Sequence, residues 1–354
     1  MARASQDSQD IMSLSQEEMI SWMLERGLPG YRGTQLFEAL WRRRVQDYHE
    51  ISSWPKQLRE SMASSLPLPR LEAATVHRGR DGTIKVLARL HDGQHIETVV
   101  LPHDYGYSVC VSTQVGCNMG CAFCASGLLK RTRNLTAGEI LDQVRLANDL
   151  IPDENGAISR VDLMGIGEPL DNYDNVVQFI KVAHHPLGFH LGYRHFTVST
   201  SGLVPAIYRL AQEEIPITLA VSLHAPTDEL RRQLMPIDKA YPIDPLIEAC
   251  KHYFEKTGRR VSFEYALLAG VNDSDENARQ LTDLLSGYSC HVNLIPWNPV
   301  PEHPFQPSSK KRVEAFQRIV QEHGVSCTIR KEMGQDIEAA CGQLRRREEE
   351  LLSP

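Results

Sequence analysis

The sequence predicts an α/β fold, a partial (β/α)6 barrel preceded by a small helical N-terminal domain and a hairpin. Three observations carry this. From residue 108 onward, short apolar strands alternate with amphipathic helices in six β/α units, which implies parallel strands joined by right-handed crossovers. Residues 1–90 lack that alternation and read as helices followed by two strands. Glycine and small polar residues gather at strand carboxyl ends, where β/α folds place their functional groups. A partial barrel fits this pattern better than an open doubly wound sheet.

In chain order, Thr34 can cap a helix whose Leu36, Phe37, Leu40 and Trp41 share one face. A second helix is expected over 57–63, after Trp54-Pro55. Alternating strands at 84–90 and 96–101 flank His91-Asp92-Gly93-Gln94, and the Asp-Gly pair is a hairpin signal. The first core strand is expected at 108–115, and Thr136 with Glu139 forms a capping box for the helix that follows. Further strands are expected at 160–165, 194–200, 217–223, 260–267 and 291–296, then a helix at 310–322 and a last strand at 325–330. The stretch from Pro296 to Pro307 reads as a long ordered loop. The organisation is thus an accessory domain over 1–90 with a linking hairpin to 107, a core over 108–345 and a charged tail over 346–354.

Composition bounds the function. The chain has 354 residues, 42% hydrophobic and 23% charged, with net charge −7. That is an ordinary globular composition. The opening MARASQDSQDIMSLSQEEM is polar and has no apolar core of a signal peptide or anchor. No apolar run approaches the roughly 18–20 residues of a bilayer span, so a cytoplasmic protein without a membrane partner is expected. The acidic balance argues against a protein that merely coats nucleic acid. It leaves room for local basic clusters, of which there are two: Trp41-Arg42-Arg43-Arg44, and Lys130-Arg131 with Arg133.

Eight cysteines, four of them between Cys110 and Cys124, suggest a metal site rather than a secreted disulfide framework. Cys117, Cys121 and Cys124 stand in C-x3-C-x2-C spacing. A structural zinc site and an ordinary [4Fe–4S] site each need four ligands. Three thiolates therefore either await a fourth, from Cys110, Cys341 or His103, or leave one iron of a cubane open to a small molecule. Cys110, Ser112 and Gln114 share one face of the first strand, opposite Val109, Val111 and Val115. In a barrel covered by helices the polar face looks inward. Cys341 lies in a Gly/Ala-rich segment whose small neighbours leave its sulfur accessible. Cys250, Cys290 and Cys327 have apolar surroundings and read as core.

The strand ends supply the rest of the candidate cavity: Gly165-Ile166-Gly167-Glu168-Pro169, Ser199-Thr200-Ser201-Gly202, Ser222-Leu223-His224 and Trp297-Asn298-Pro299. The Gly165/Gly167 pair lacks the third glycine of a dinucleotide fingerprint, and Glu168-Pro169 interrupts the turn. Exposed backbone beside a carboxylate suits an ammonium group instead. Ser222 and His224 are not framed by a nucleophile elbow.

The cysteine spacing resembles the radical S-adenosylmethionine (SAM) superfamily. VCVSTQVGCNMGCAFC, MGIGEPL, VSTSG, SLHAP, NLIPWNP and DIEAACGQL, in that order, resemble its RNA adenine-C2 methyltransferases, the RlmN type. The resemblance runs from about residue 20 to 345. It implies a [4Fe–4S] cluster on Cys117, Cys121 and Cys124, with SAM held by Gly167, Glu168, Ser199, Ser222, Leu223, His224 and Asn298. It also implies two SAM per turnover. One methylates Cys341, and the second is reductively cleaved to a radical that activates the S-methyl group for addition to adenine C2. Cys110 then releases the covalent enzyme–RNA intermediate through a disulfide with Cys341, and Glu97 matches the family's proposed base. Without the resemblance, Glu97 reads as an exposed edge-strand carboxylate. The implied substrates are adenosine 2503 of 23S rRNA and adenosine 37 of certain tRNAs, reached by base flipping. A reductant such as flavodoxin and a monomeric state are implied too. The N-terminal domain and the basic run after the cysteine loop are the candidates for gripping RNA. The Cfr type, which methylates C8, is the alternative, although Pro296-Trp297 precedes Asn298-Pro299 as in the C2 enzymes. A non-catalytic, zinc-stabilised RNA-binding protein is the reading from a different class.

Overall fold

The structure, a computed structural model, describes residues 10–152 and 156–344; the charged tail expected over 346–354 lies outside them. The first α-helix among the described residues is α1 (Gln16–Glu25). Ser15 Oγ accepts from the Glu18 amide at 3.2 Å, and the Glu18 carboxylate accepts from the Ser15 amide at 2.7 Å, a reciprocal cap. The polar opening stretch thus holds a helix that hydropathy alone does not announce. Helix α2 (Tyr31–Trp41) starts at Gly30, so Thr34 is not its cap. Thr34 lies inside the helix, where its hydroxyl accepts from Gln16 Nε2 at 3.2 Å. Gly33 explains the pairing of the two helices, because a Cβ there would lie 2.6 Å from the Met19 backbone. Leu36, Phe37, Leu40 and Trp41 are fully buried, on the face the spacing predicts. Helix α3 (Lys56–Ser65) follows.

Strand β1 (Glu72–Arg78) is absent from the sequence expectations, because its exposed face carries no clean apolar alternation. It pairs antiparallel with β2 (Ile84–Arg89), β2 with β3 (His95–His103), and β3 with β4 (Gly106–Cys110). The expected strand over 108–115 stops at Cys110. The chain then bends, and β5 (Gln114–Val115) forms a small ribbon with β6 (Arg133–Asn134). The bend is held by close backbone contact with the 165–167 loop. A Cβ on Gly165 would lie 2.7 Å from the Val111 carbonyl, and one on Gly167, at φ +110°, would lie 2.6 Å from Gln114. Ser112 and Gln114 therefore do not look into a cavity. Ser112 Oγ donates to the Glu97 carbonyl at 2.6 Å and accepts from the Ile166 amide at 3.0 Å, and Gln114 Oε1 accepts from the Glu168 amide at 2.9 Å.

After α4 (Ala137–Leu150), capped by Thr136 and Glu139 as expected, come β7 (Ile158–Leu163), α5 (Tyr173–His184), β8 (Phe196–Thr200), α6 (Val204–Gln212) and β9 (Thr218–Ser222). Helices α7 (Asp228–Leu234) and α8 (Ile243–Thr257) precede β10 (Val261–Leu267). The chain continues through α9 (Asp275–Leu285), β11 (Cys290–Pro296), α10 (Lys310–Glu322) and β12 (Ser326–Ile329). The sheet order is β1-β2-β3-β4-β7-β8-β9-β10-β11-β12, with every pairing from β4 to β12 parallel. Strand order never reverses, as a barrel requires and a doubly wound sheet does not. Among the described residues β12 does not pair with β4, so the barrel is open on that side.

The segment after β12 crosses this opening. Ala339 and Leu344 pack with Val99, Cys110 and Ile166. The main hydrophobic core extends from Ile11 in the N-terminal helices to Cys327 in β12 and takes in Cys250 and Cys290, while a separate cluster of Phe123, Leu234, Met235 and Trp297 packs beneath the cysteine loop. Among the described residues, no helix is long and apolar enough to cross a membrane.

Candidate active site

Two cavities meet inside the open barrel. One, of about 160 Å3, sits at the carboxyl ends of the strands and is lined by Cys117, Cys121, Cys124, Gly167, Glu168, Ser199, Ser222 and His224, among others. The second, of about 380 Å3, runs down the barrel interior past Cys110, Asp162, Asn293 and Ser262 to Tyr105 and Arg160. Their shared wall is made by Met164, Glu264, Ile295, Arg330 and Cys341.

The cysteine loop is fixed at several points. Its entry is Gly116, at φ +79°, where any Cβ would sit 2.3 Å from the Lys130 carbonyl. The Ala122 amide donates to the Leu234 carbonyl at 2.9 Å, and Trp297 Nε1 donates to the Phe123 carbonyl at 2.9 Å. The Ala125 amide donates to the Gly342 carbonyl at 2.8 Å, which ties this loop directly to the segment that carries Cys341. Burial pushes the Cys117 thiol up to about 11 and raises Cys121 and Cys124 as well, with the Cys124 sulfur adding to the first two and the Cys341 sulfur to Cys124. Three such half-buried thiols crowded together become thiolates readily only if a cation compensates them.

Beside them, Glu168 is buried with its Oε1 accepting from the Leu170 amide at 3.0 Å and its Oε2 from the Ser201 amide at 2.7 Å. Burial raises its carboxyl pKa despite those donors. His224, at φ +55°, accepts the Ala266 amide on Nδ1 at 2.9 Å, and burial lowers its pKa to about 3. It is a neutral imidazole with its proton on Nε2. Ser199 and Ser222 line the same cavity, as expected. Two expected members do not. Leu223 is fully buried in the main core, and Asn298 is buried next to Trp297 but outside the cavity lining. Gly165 and Gly167 line it while also serving the close packing against residues 111–114.

On the other side, Cys110 and Cys341 line the larger cavity as free thiols. Burial, and then the neighbouring Cys341 sulfur, push Cys110 far up, so it rests protonated. Glu97 lines neither cavity and is not an exposed edge carboxylate. Its strand is internal to the sheet, and its buried carboxylate pairs with Lys85 Nζ at 3.5 Å. The basic run is also committed elsewhere. Arg133 grips Glu139 at 2.7 and 2.8 Å and Asp92 at 2.7 Å, and Arg131 pairs with Asp171.

Sequence reasoning missed three charged groups. Arg330, just past β12, has Cys341, Glu264, Asp162 and Cys110 about it, and the Cys341 sulfur contributes most to raising its pKa. Glu264 on β10 accepts from Asn293 Nδ2 at 2.8 Å and Ser262 Oγ at 3.1 Å. Arg231 is fully buried and donates to the strand-end carbonyls of Ser201 at 2.7 Å and Ser222 at 3.3 Å while pairing with Asp238 at 3.3 Å. Each stands at a position whose neighbours in sequence look ordinary.

An open parallel barrel with three thiols at its carboxyl end defines a class, and comparison with known proteins agrees. Residues 111–282 match the family model of the Radical SAM superfamily. The chain is 50% identical over 338 residues to "Probable dual-specificity RNA methyltransferase RlmN" of Geobacillus kaustophilus, covering 96% of this chain and 93% of that one. It is 47% identical over 338 residues to the protein of the same name in Bacillus thuringiensis, with the same coverage. The crystal structure of a radical SAM methyltransferase from Sphaerobacter thermophilus superposes with a TM-score of 0.92 at 46% identity, over 94% of this chain and 98% of that one. The chain therefore belongs to the RlmN family of radical SAM dual-specificity RNA methyltransferases.

Membership implies a [4Fe–4S] cluster and SAM, and the residues present fit both. Three thiols share one wall, and none of the described side chains completes a closed site. Among the described residues no group of three or more His, Cys, Asp or Glu is gathered tightly enough for one metal ion. Thiolates on a single tetrahedral zinc lie within about 4 Å of each other, whereas a cubane spreads its ligands over separate irons. Glu168 and the serine hydroxyls of the strand ends supply acceptors for an ammonium and partners for a ribose.

Proposed function

We propose that this protein methylates C2 of adenosine 2503 in 23S rRNA and of adenosine 37 in tRNAs, with Cys341 as the methyl carrier. The single observation that carries the reading is the position of Cys341 in the wall between the two cavities. A carrier must face the cofactor to be charged and the base to discharge, and no other cysteine lines both.

Cys117, Cys121 and Cys124 would hold the cluster, and Glu168, Ser199, Ser222 and His224 would hold SAM, used twice per turnover. When bound, that pair supplies methyl groups and a carbon-centred radical for hydrogen abstraction. The protein's own part is positioning. The Ala125–Gly342 hydrogen bond keeps the Cys341 segment against the cluster loop, and the neutral His224 adds no charge that would repel a sulfonium. The target adenine would enter the larger cavity and bond through C2 to the carbon on Cys341 Sγ. Release requires the Cys110 thiolate to attack Sγ of Cys341, so that the S–S bond forms as the Sγ–carbon bond breaks, its electron pair taking up a proton to leave a methyl group on the base. Cys110 rests as a thiol, so it must first lose its proton. Glu97 would act as a base in that phase only after a rearrangement that brings it to the cavity. A reductant such as flavodoxin, and a monomeric, cytoplasmic protein whose N-terminal helices contact RNA, complete the reading.

The test is anaerobic reconstitution with iron and sulfide, followed by reaction with SAM, reductant and a 23S rRNA fragment and mass spectrometry of the nucleosides. The reading predicts 2-methyladenosine. Exclusive 8-methyladenosine would move the protein to the Cfr type, and protein that binds zinc but no iron would remove the radical chemistry altogether.

A further inference from the structure

The rim of the larger cavity carries a feature that neither cofactor nor methyl transfer uses. Tyr105, at the tip of the turn between β3 and β4, is 59% exposed, among the most exposed large apolar side chains of the described residues. Its ring is stacked on His103, with centroids 4.8 Å apart and planes 6° from parallel, and the Arg160 guanidinium lies 4.8 Å from its centroid. His103 is itself held by Ser108 Oγ at 2.9 Å. Histidine, tyrosine and arginine are the planar groups on which unpaired bases stack in RNA recognition. All three line the same cavity as Cys110 and Cys341, and the exposed Lys331 lines it too, along with the acids Asp162, Glu264 and Glu332, while exposed Asp104 adjoins Tyr105 in the turn.

Resting on the functional reading above, we infer that the His103–Tyr105–Arg160 stack is a platform for a nucleotide flanking the target adenosine, stacking its base while the target itself goes on to Cys341. Distance separates the two roles. Tyr105 precedes Gly106–Cys110, a strand of five residues, and at about 3.3 Å per residue its backbone stands roughly 16 Å from that of Cys110. A base on the platform is therefore too far away to react. Extruding the target breaks its stacking on both neighbours, and a preformed planar surface at the cavity rim replaces part of what the flanking base loses. Arg160 and Lys331 put positive charge where the backbone phosphates of that nucleotide would run.

The test compares wild-type holoenzyme with Tyr105→Ala and Tyr105→Phe on an RNA fragment carrying the target adenosine. Iron content and melting temperature serve as checks of folding. Stacking of one base is worth roughly 5- to 150-fold in affinity, so Tyr105→Ala should raise Kd and KM for RNA by at least about fivefold, with a much smaller change in kcat at saturating RNA. Tyr105→Phe keeps the ring and should restore both constants. Unchanged Kd and KM in the alanine variant, or failure of phenylalanine to rescue a loss, would overturn the platform while leaving the methyltransferase reading intact. A wild-type enzyme that methylates no RNA would overturn that reading, and the platform with it.

Discussion

Arg231 shows how a single buried charge can shape a site without lining it. It reaches from α7 to the carbonyls that end β8 and β9, the two strands whose serines face the smaller cavity. Breaking a buried pair by removing one partner costs about 3–5 kcal/mol, because the other charge is stranded. Arg231→Met should therefore destabilise the protein by about that amount, measured by denaturant unfolding, since Asp238 would be left buried with only Arg232 at 3.2 Å. A loss below about 1 kcal/mol would mean that the pair is no more than a surface-like contact. Residues of this kind were not legible in the sequence. Asp228-Glu229-Leu230-Arg231-Arg232 reads as a solvated charged stretch, and only packing distinguishes Arg231, fully buried, from Arg232, which is half exposed. The thiols of the cysteine loop were legible for the opposite reason, since all three stand within eight residues and need no tertiary fold to become neighbours.

Between elements, the segment that carries Cys341 is latched to the β1–β2 hairpin. Asp81 accepts from the Gly334 amide at 2.8 Å and the Thr83 amide at 3.0 Å, and Asp336 in return accepts from the Arg80 amide at 3.0 Å. Gly334 stands at φ +65°, where a Cβ would lie 2.8 Å from Ala339 and 2.9 Å from Thr83. Burial alone would raise the Asp81 pKa, but the amide donors outweigh it and hold the carboxyl below its usual value. An acid with a lowered folded pKa contributes stability above its unfolded value of about 3.9, and that contribution is lost as pH falls through the folded value. Asp81→Ala should speed amide hydrogen exchange across residues 334–342 and lower RNA methylation, with the parallel strands keeping their protection. It should also flatten the loss of stability below about pH 4. Unchanged exchange in that segment would show that packing on Val99 and Cys110 holds it without the latch. Neither side of this latch was legible: β1 was not expected from the sequence, the Asp92-Gly93 signal marks the next hairpin, between β2 and β3, and the latch joins residues more than 250 positions apart.

For the whole molecule, strict alternation of strand and helix told of parallel strands, and the observed order resolves them into an open barrel. Where legibility failed, local rules met a tertiary contact. Thr34 lost its capping role to a helix that begins at Gly30, and the strand over 108–115 broke where glycines 165 and 167 let another loop press against it. The acidic overall charge with its scattered arginines gave no RNA surface, and the structure adds how the arginines of the basic run are engaged within the chain. Arg131 and Arg133 are consumed by internal ion pairs, while the exposed planar groups lie at the rim of the larger cavity. The open side of the barrel, crossed by the 330–344 segment, is what brings Cys341 between the two cavities. The central claim is that this thiol bonds the RNA and that Cys110 frees it. The most direct test is Cys110→Ala holoenzyme reacted with SAM, reductant and an RNA fragment, digested and read by mass spectrometry. The account predicts an RNA-derived adenosine attached through one carbon to the Cys341 peptide, accumulating because release is blocked. Free methyladenosine at wild-type yield with an unmodified Cys341 peptide would contradict it.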